Sequence, residues 1–186
     1  MAVFEKLGEL NMFAGDGEAS LRHYSEALAS AKEPEQTARL QRKIASARIS
    51  MAEFDKAMES IAGGFEAMRN STNPEYGRLF IVESDAHSGR GDFEQAAASC
   101  ERAVASFSAL PDSNRRDMSK AQRMHGVIMY RTGKFDKAIE LYQRSLECLD
   151  PEEDENDYAQ LLHNIGVVVI DKGEYAKAMD HFERSE

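Results

Sequence analysis

One small residue recurs along this chain at an interval near 40 residues. It is Ser20 in GEASLRHY, Ala57 in FDKAMESI, Ala96 in FEQAAASC, Ala138 in FDKAIELY and Ala178 in YAKAMDHF. From those positions the steps are 37, 39, 42 and 40 residues. The prolines provide an independent ruler, since Pro34, Pro74, Pro111 and Pro151 are separated by 40, 37 and 40 residues. Proline fits the first turn of a helix and breaks its interior, so each one marks the start of a copy. The copies run over about 1–33, 34–72, 73–110, 111–150 and 151–186. A period of this length means that each copy is one supersecondary unit, able to bury its apolar face only against its neighbours.

Each copy contains two helical segments. In the fourth, the first runs from about Ser113 to Thr132, Gly133 breaks it, and the second runs from about Lys134 to Leu149. The first, third and fifth copies break at Gly15-Asp16-Gly17, Gly89-Arg90-Gly91 and Lys172-Gly173. The second has no glycine there, and Ser50-Met51-Ala52-Glu53 reads as a capping box. Asp92 with Gln95, Asn73 before Pro74, and Asp150 before Pro151 read as further helix starts. Ten helices with short connections give an all-α chain of antiparallel neighbours. No sustained period-2 alternation and no Asn-Gly pair argues for strands. Phe135, Ala138, Tyr142 and Ser145 share one helical face. The small members let a neighbouring helix approach, as does Gly126 on the preceding helix.

These residues resemble the tetratricopeptide repeat family across essentially the whole chain. The first copy matches through Phe4, Leu7, Gly8, Gly15, Tyr24 and Ala27. The third matches through Phe80, Gly91, Phe93, Ala96 and Ala103, and the fourth through Gly126, Gly133, Phe135, Ala138 and Tyr142. The fifth supplies Leu162, Ile165, Gly166, Gly173, Tyr175, Ala178 and Phe182, and the second Ile44, Ala45, Phe54, Ala57 and Ile61. The resemblance implies an α-α superhelical solenoid of five repeats. The period, near 40 rather than 34, resembles the longer-repeat branch that includes kinesin light chain, the Leu-Gly-Asn repeat proteins and bacterial regulators. A helix starts almost at Met1 and the last stops at Glu186 without a polar capping helix, which reads as a piece of a larger protein.

Composition narrows the function. The net charge of −10 opposes nucleic-acid and anionic-membrane binding, which need a positive field. The longest aliphatic run, Val167 to Ile170, is far short of a membrane span. Two cysteines, Cys100 and Cys148, and a polar N-terminus point to a reduced, cytoplasmic setting. No phosphate-binding loop, Gly-x-Ser-x-Gly or His-Glu-x-x-His motif is present, so no catalytic residue, cofactor or metal is expected. Cys100 reads as core, the five histidines as ordinary surface or groove residues, and the acidic run Pro151 to Asp157 as helix capping and solubility.

In the resembled family the first helix of each pair lines a concave groove. In register, that face carries Arg39 and Arg42 in copy two, Arg78 and Ile81 in copy three, Lys120 and Arg123 in copy four, and Gln160 and His163 in copy five. Copy one breaks the stripe with Ala2 and Glu5. Asn164 occupies the place where an Asn contacts the backbone of a bound peptide in kinesin light chain and Leu-Gly-Asn proteins. The Lys/Asn/Asn/Lys/Arg set of the two-carboxylate clamp is not found. Two readings follow. In one, Arg39, Arg42, Arg78, Lys120, Arg123, His163 and Asn164 form a groove for an acidic peptide of a protein partner. In the other, the stripe is a solvated helix face, and the array is a spacer or self-association unit that stacks through Tyr175, Met179 and Phe182.

Overall fold

The computed structural model describes residues 1–68, 73–110 and 114–174. All regular structure among them is helical: α1 (Ala2–Phe13), α2 (Gly17–Ala29), α3 (Pro34–Ser50), α4 (Phe54–Ala67), α5 (Pro74–Arg90), α6 (Phe93–Ser108), α7 (Arg115–Arg131), α8 (Phe135–Glu147) and α9 (Glu155–Asp171). The all-α expectation is met, with the paired helices in the predicted order. The tenth helix, with Tyr175, Met179 and Phe182, lies outside the described residues, as do Pro111 and His181. The chain divides into two compact units, Met1–Ser99 and Cys100 onward.

The same turn closes the first helix of every copy. A residue with positive φ follows each first helix: Gly15 at 79°, Ala52 at 58°, Gly91 at 86°, Gly133 at 74° and Gly173 at 80°. Its N–H and that of the next residue reach back to the preceding turn, as in Ala52 N to Ile49 O at 2.9 Å and Glu53 N to Arg48 O at 2.9 Å. This is the Schellman closure. It corrects the capping box read at Ser50: Ser50 ends α3, and its hydroxyl donates to the Ala47 carbonyl at 2.7 Å. Ala52 carries the left-handed strain that glycine relieves elsewhere. That strain is about 1–2 kcal/mol, against about 0.5–1 kcal/mol for the extra freedom glycine has when unfolded. Ala52→Gly is therefore expected to raise the urea midpoint, by the equivalent of about 0.5–1 kcal/mol. A lowered midpoint would show that the turn is not strained.

One helix start follows the sequence: Asn73 caps α5 by accepting from Glu75 N at 2.9 Å, with Pro74 next. Asp16, in the break of the first copy, caps α2 by accepting from Ala19 N at 2.8 Å. Asp150-Pro151 does not start a helix. Asp150 accepts from Glu152 N and Glu153 N, closing a turn, and α9 begins only at Glu155.

Small residues set the helix spacing. Gly8 of α1 lies under the Tyr24 ring of α2, where an added Cβ would sit 2.4 Å from Cε1. Gly126 of α7 lies under Tyr142 of α8, with the corresponding distance 2.6 Å. In α3 and α4 the same places hold Ala45 and Ile61, which share a buried cluster with Ala57 and Ala86. Where the first copy has Ser20 instead of alanine, the buried hydroxyl donates to Gly8 O at 2.9 Å. Ser145 of α8 does the same for Ser119 O at 2.7 Å. Ala57, Ala96, Ala138 and Cys100 are fully buried, as the repeat pattern requires.

Candidate functional site

The predicted site residues divide between the units, Arg39, Arg42 and Arg78 in the first and Lys120, Arg123, His163 and Asn164 in the second. In the first unit, the cations of α3 meet carboxylates on the helices beside it. Arg39 grips Glu5 of α1 with two prongs, Nε to Oε1 at 3.0 Å and Nη2 to Oε2 at 3.3 Å. Lys43, one turn on, donates to Glu5 and Glu9 at 2.6 Å each and lies over the Tyr24 ring. Arg42 points the other way and pairs with Glu75 of α5. Arg78, on α5 itself, reaches the second oxygen of Glu75 at 3.3 Å. Glu75 is 1% exposed, a buried carboxylate shared by two guanidinium groups.

This ladder changes the electrostatics of the predicted stripe. Burial would raise the Glu5 carboxyl, but the hydrogen bonds from Lys43 and Arg39 outweigh it and hold the group below its ordinary value. Burial would lower the Lys43 ammonium, yet its bonds to Glu5 and Glu9 raise it. Arg39, Arg42 and Arg78 therefore serve as inter-helix ties as well as surface cations. Sequence reasoning noted Glu5 only as a gap in the stripe, and it missed Glu9, Lys43 and Glu75. The available signal was the spacing: 34 residues from Glu5 to Arg39, 34 from Glu9 to Lys43 and 33 from Arg42 to Glu75. That is close to one repeat, which puts opposite charges on successive first helices.

In the second unit, Lys120 and Arg123 come together. With Arg116, Asp117, Ser119, Asp157 and Leu161 they line a cleft of about 220 Å³ between α7 and α9. Arg123 donates to Gln160 Oε1 across this face at 2.9 Å. Lys120 is exposed, and α9 continues past Leu161 with exposed His163 and half-buried Asn164. The cleft mixes three cations and two carboxylates around Leu161, which is buried.

Asp154 was read as part of a capping and solubility run. It stands at the start of α9 but makes no side-chain cap, and it is buried. Its carboxylate accepts from the Asp150 N–H, Arg115 and Arg116. The Asp150 N–H first, then Arg115, hold it below the usual carboxylate range against its desolvation. Asp154 thus fastens the start of α9 to α7. His125 is also a correction: it is buried in α7 rather than at the surface, and burial pushes its imidazole down. Among the described residues no group of His, Cys, Asp and Glu could hold a metal ion, and no helix is long and apolar enough to cross a membrane.

Comparison with known proteins bears on the fold. A tetratricopeptide repeat family model matches residues 84–150 and 117–186. Protein KINESIN LIGHT CHAIN-RELATED 2 of Arabidopsis thaliana is 23% identical over 177 residues, covering 91% of this chain and 27% of that protein. The chain thus spans about a quarter of that curated relative. Among solved structures, BtubC (BKLC) from P. vanneervenii superposes with a TM-score of 0.79 at 20% identity, over 98% of this chain and 76% of the other. The Rap conjugation gene regulator of the plasmid pLS20, in complex with the Phr* peptide, gives 0.80 at 15% identity, over 96% and 50%. At these identities the likeness concerns the fold.

Proposed function

Given that the chain belongs to the tetratricopeptide repeat family, we propose that it is a non-catalytic binding module for an acidic peptide segment of a protein partner. The observation that carries the reading is the α7–α9 cleft, where Arg116, Lys120 and Arg123 converge beside Leu161. A Rap regulator of the same fold is known in complex with a peptide, which makes peptide capture a reasonable use of such a face. His163 and Asn164 extend the surface along α9, Asn164 as a donor and acceptor for peptide backbone. Arg39, Arg42 and Arg78 are the corresponding cations of the first unit. Glu5 and Glu75 engage them within the first unit. A module with two free thiols, Cys100 buried and Cys148 half-buried, fits a reducing, cytoplasmic compartment.

The test is selection of peptides from a random display library, followed by titration of the enriched peptides. Acidic sequences are expected. Lys120→Glu with Arg123→Glu is expected to weaken them by at least about tenfold with helicity unchanged, since charge reversal replaces attraction by repulsion. Equal binding by the reversed protein, or enrichment of basic peptides, would overturn the proposal.

A further inference from the structure

His125 occupies a place that other copies fill with an apolar residue. Thirteen residues before the recurring small residue of each copy, the first helices hold Leu7, Ile44, Glu83, His125 and Ile165. Ile44 and Ile165 are buried, at 4% and 1% exposure. Ile44 shares its cluster with Tyr24 and Ala27, so this place packs against the second helix of the copy before. Glu83, the other titratable residue in the series, is half-buried and accepts from the Ser99 hydroxyl at 2.7 Å. His125 is 7% exposed, so the fourth copy keeps an imidazole where isoleucine serves elsewhere. The helix before it is α6, whose part from Cys100 onward lies in the same compact unit. In register, Cys100 stands where Tyr24 stands in α2, four residues after the small residue, and it is fully buried.

A neutral imidazole fills such a seam as a small, flat side chain. The protonated ring is a buried cation, and desolvation is the largest force against it. The charged groups around it do not offset that cost. Glu101 of α6 attracts the proton, but this residue is exposed and its pull is screened. Lys137 and Lys134, at the start of α8, repel the proton. The folded ring therefore holds its proton less firmly than the unfolded chain, where an imidazole titrates at about 6.5. As pH falls through that range the unfolded chain takes up more protons than the folded one. The stability that His125 contributes is complete above the range and is lost towards acid.

We propose that His125 is an acid-sensitive catch between α6 and α7: neutral, it closes the seam, and protonated, it loosens it. The catch acts on α7, the helix that also carries Lys120 and Arg123. Cys100 is the built-in reporter, read in a Cys148→Ser background. Its labelling by a dipyridyl disulfide is followed at about pH 7.5 and about pH 5, a span that covers the imidazole range and stays above the ordinary carboxylate values. Each rate is divided by that of the urea-unfolded chain at the same pH. The relative rate is expected to rise at least about threefold in acid, as the linkage requires. With His125→Ile, the residue of copies two and five, no rise is expected. The unsubstituted chain gives a second reading that needs no variant. Deuterium exchange at the ring carbon of each histidine, followed against pH by mass spectrometry, is expected to show His125 titrating below exposed His163. A relative rate that acid leaves unchanged, an equal rise in His125→Ile, or a His125 ring that titrates with or above His163 would each overturn the proposal.

Discussion

Gly126→Ala is expected to destabilise the second unit by about 2–3 kcal/mol, the upper range for overpacking a tight contact. On an isolated helix the same change would stabilise by about 1 kcal/mol, because alanine is the better helix former. The sign is reversed by Tyr142. The new methyl carbon would stand 2.6 Å from ring atom Cε1 and 2.7 Å from Cδ1. Tyr142 has little room to yield, being 2% exposed, and burial pushes its phenol up to about 12. Thermal unfolding followed by circular dichroism reads the loss. The chain also suggests the repair, because α3 and α4 pack Ala45 with Ile61. Gly126→Ala combined with Tyr142→Ile is expected to recover most of the stability. A single variant more stable than the parent would refute the packing account.

Glu75→Ala is expected to cost about 3 kcal/mol, the lower end for removing one member of a buried ion pair. The lower end applies because the guanidinium groups left behind are partly hydrated: the Arg42 side chain is 20% exposed and that of Arg78 is 39% exposed. Glu75 itself is buried, so added salt does little to screen the loss. A double-mutant cycle with Arg42→Ala separates the pair from the packing. Coupling above about 1 kcal/mol is expected for groups in direct contact. Additive losses would mean that Glu75 matters only for the space it fills.

The helix pairs were legible because the pattern of small and aromatic residues is local and occurs in phase five times. The turn at Ala52 was not, because the residue that signals a left-handed position is glycine, and alanine in that conformation leaves no trace in the sequence. The start of α9 was misplaced for a related reason. Asp150-Pro151 suits a tight turn as well as a helix start, and Asp154 is engaged by Arg115 and Arg116 rather than by its own helix. The cations of the first unit were read in isolation. Glu5, the partner of Arg39, and Glu75, the partner of Arg42, come from first helices a repeat away, and pairing at that distance becomes visible only when the helices are set side by side.

The fit of Gly8 to Tyr24, Ala45 to Ile61 and Gly126 to Tyr142 has a consequence for how such a chain changes over generations. Each pair lies 16 residues apart, on the two helices of a single repeat. A mutation at one member is tolerated only after, or together with, a matching change at the other. Whole repeats are therefore the unit that duplicates, recombines or can be transplanted by an engineer with little damage. A lone helix moved from one repeat to another arrives with the wrong lock for its key.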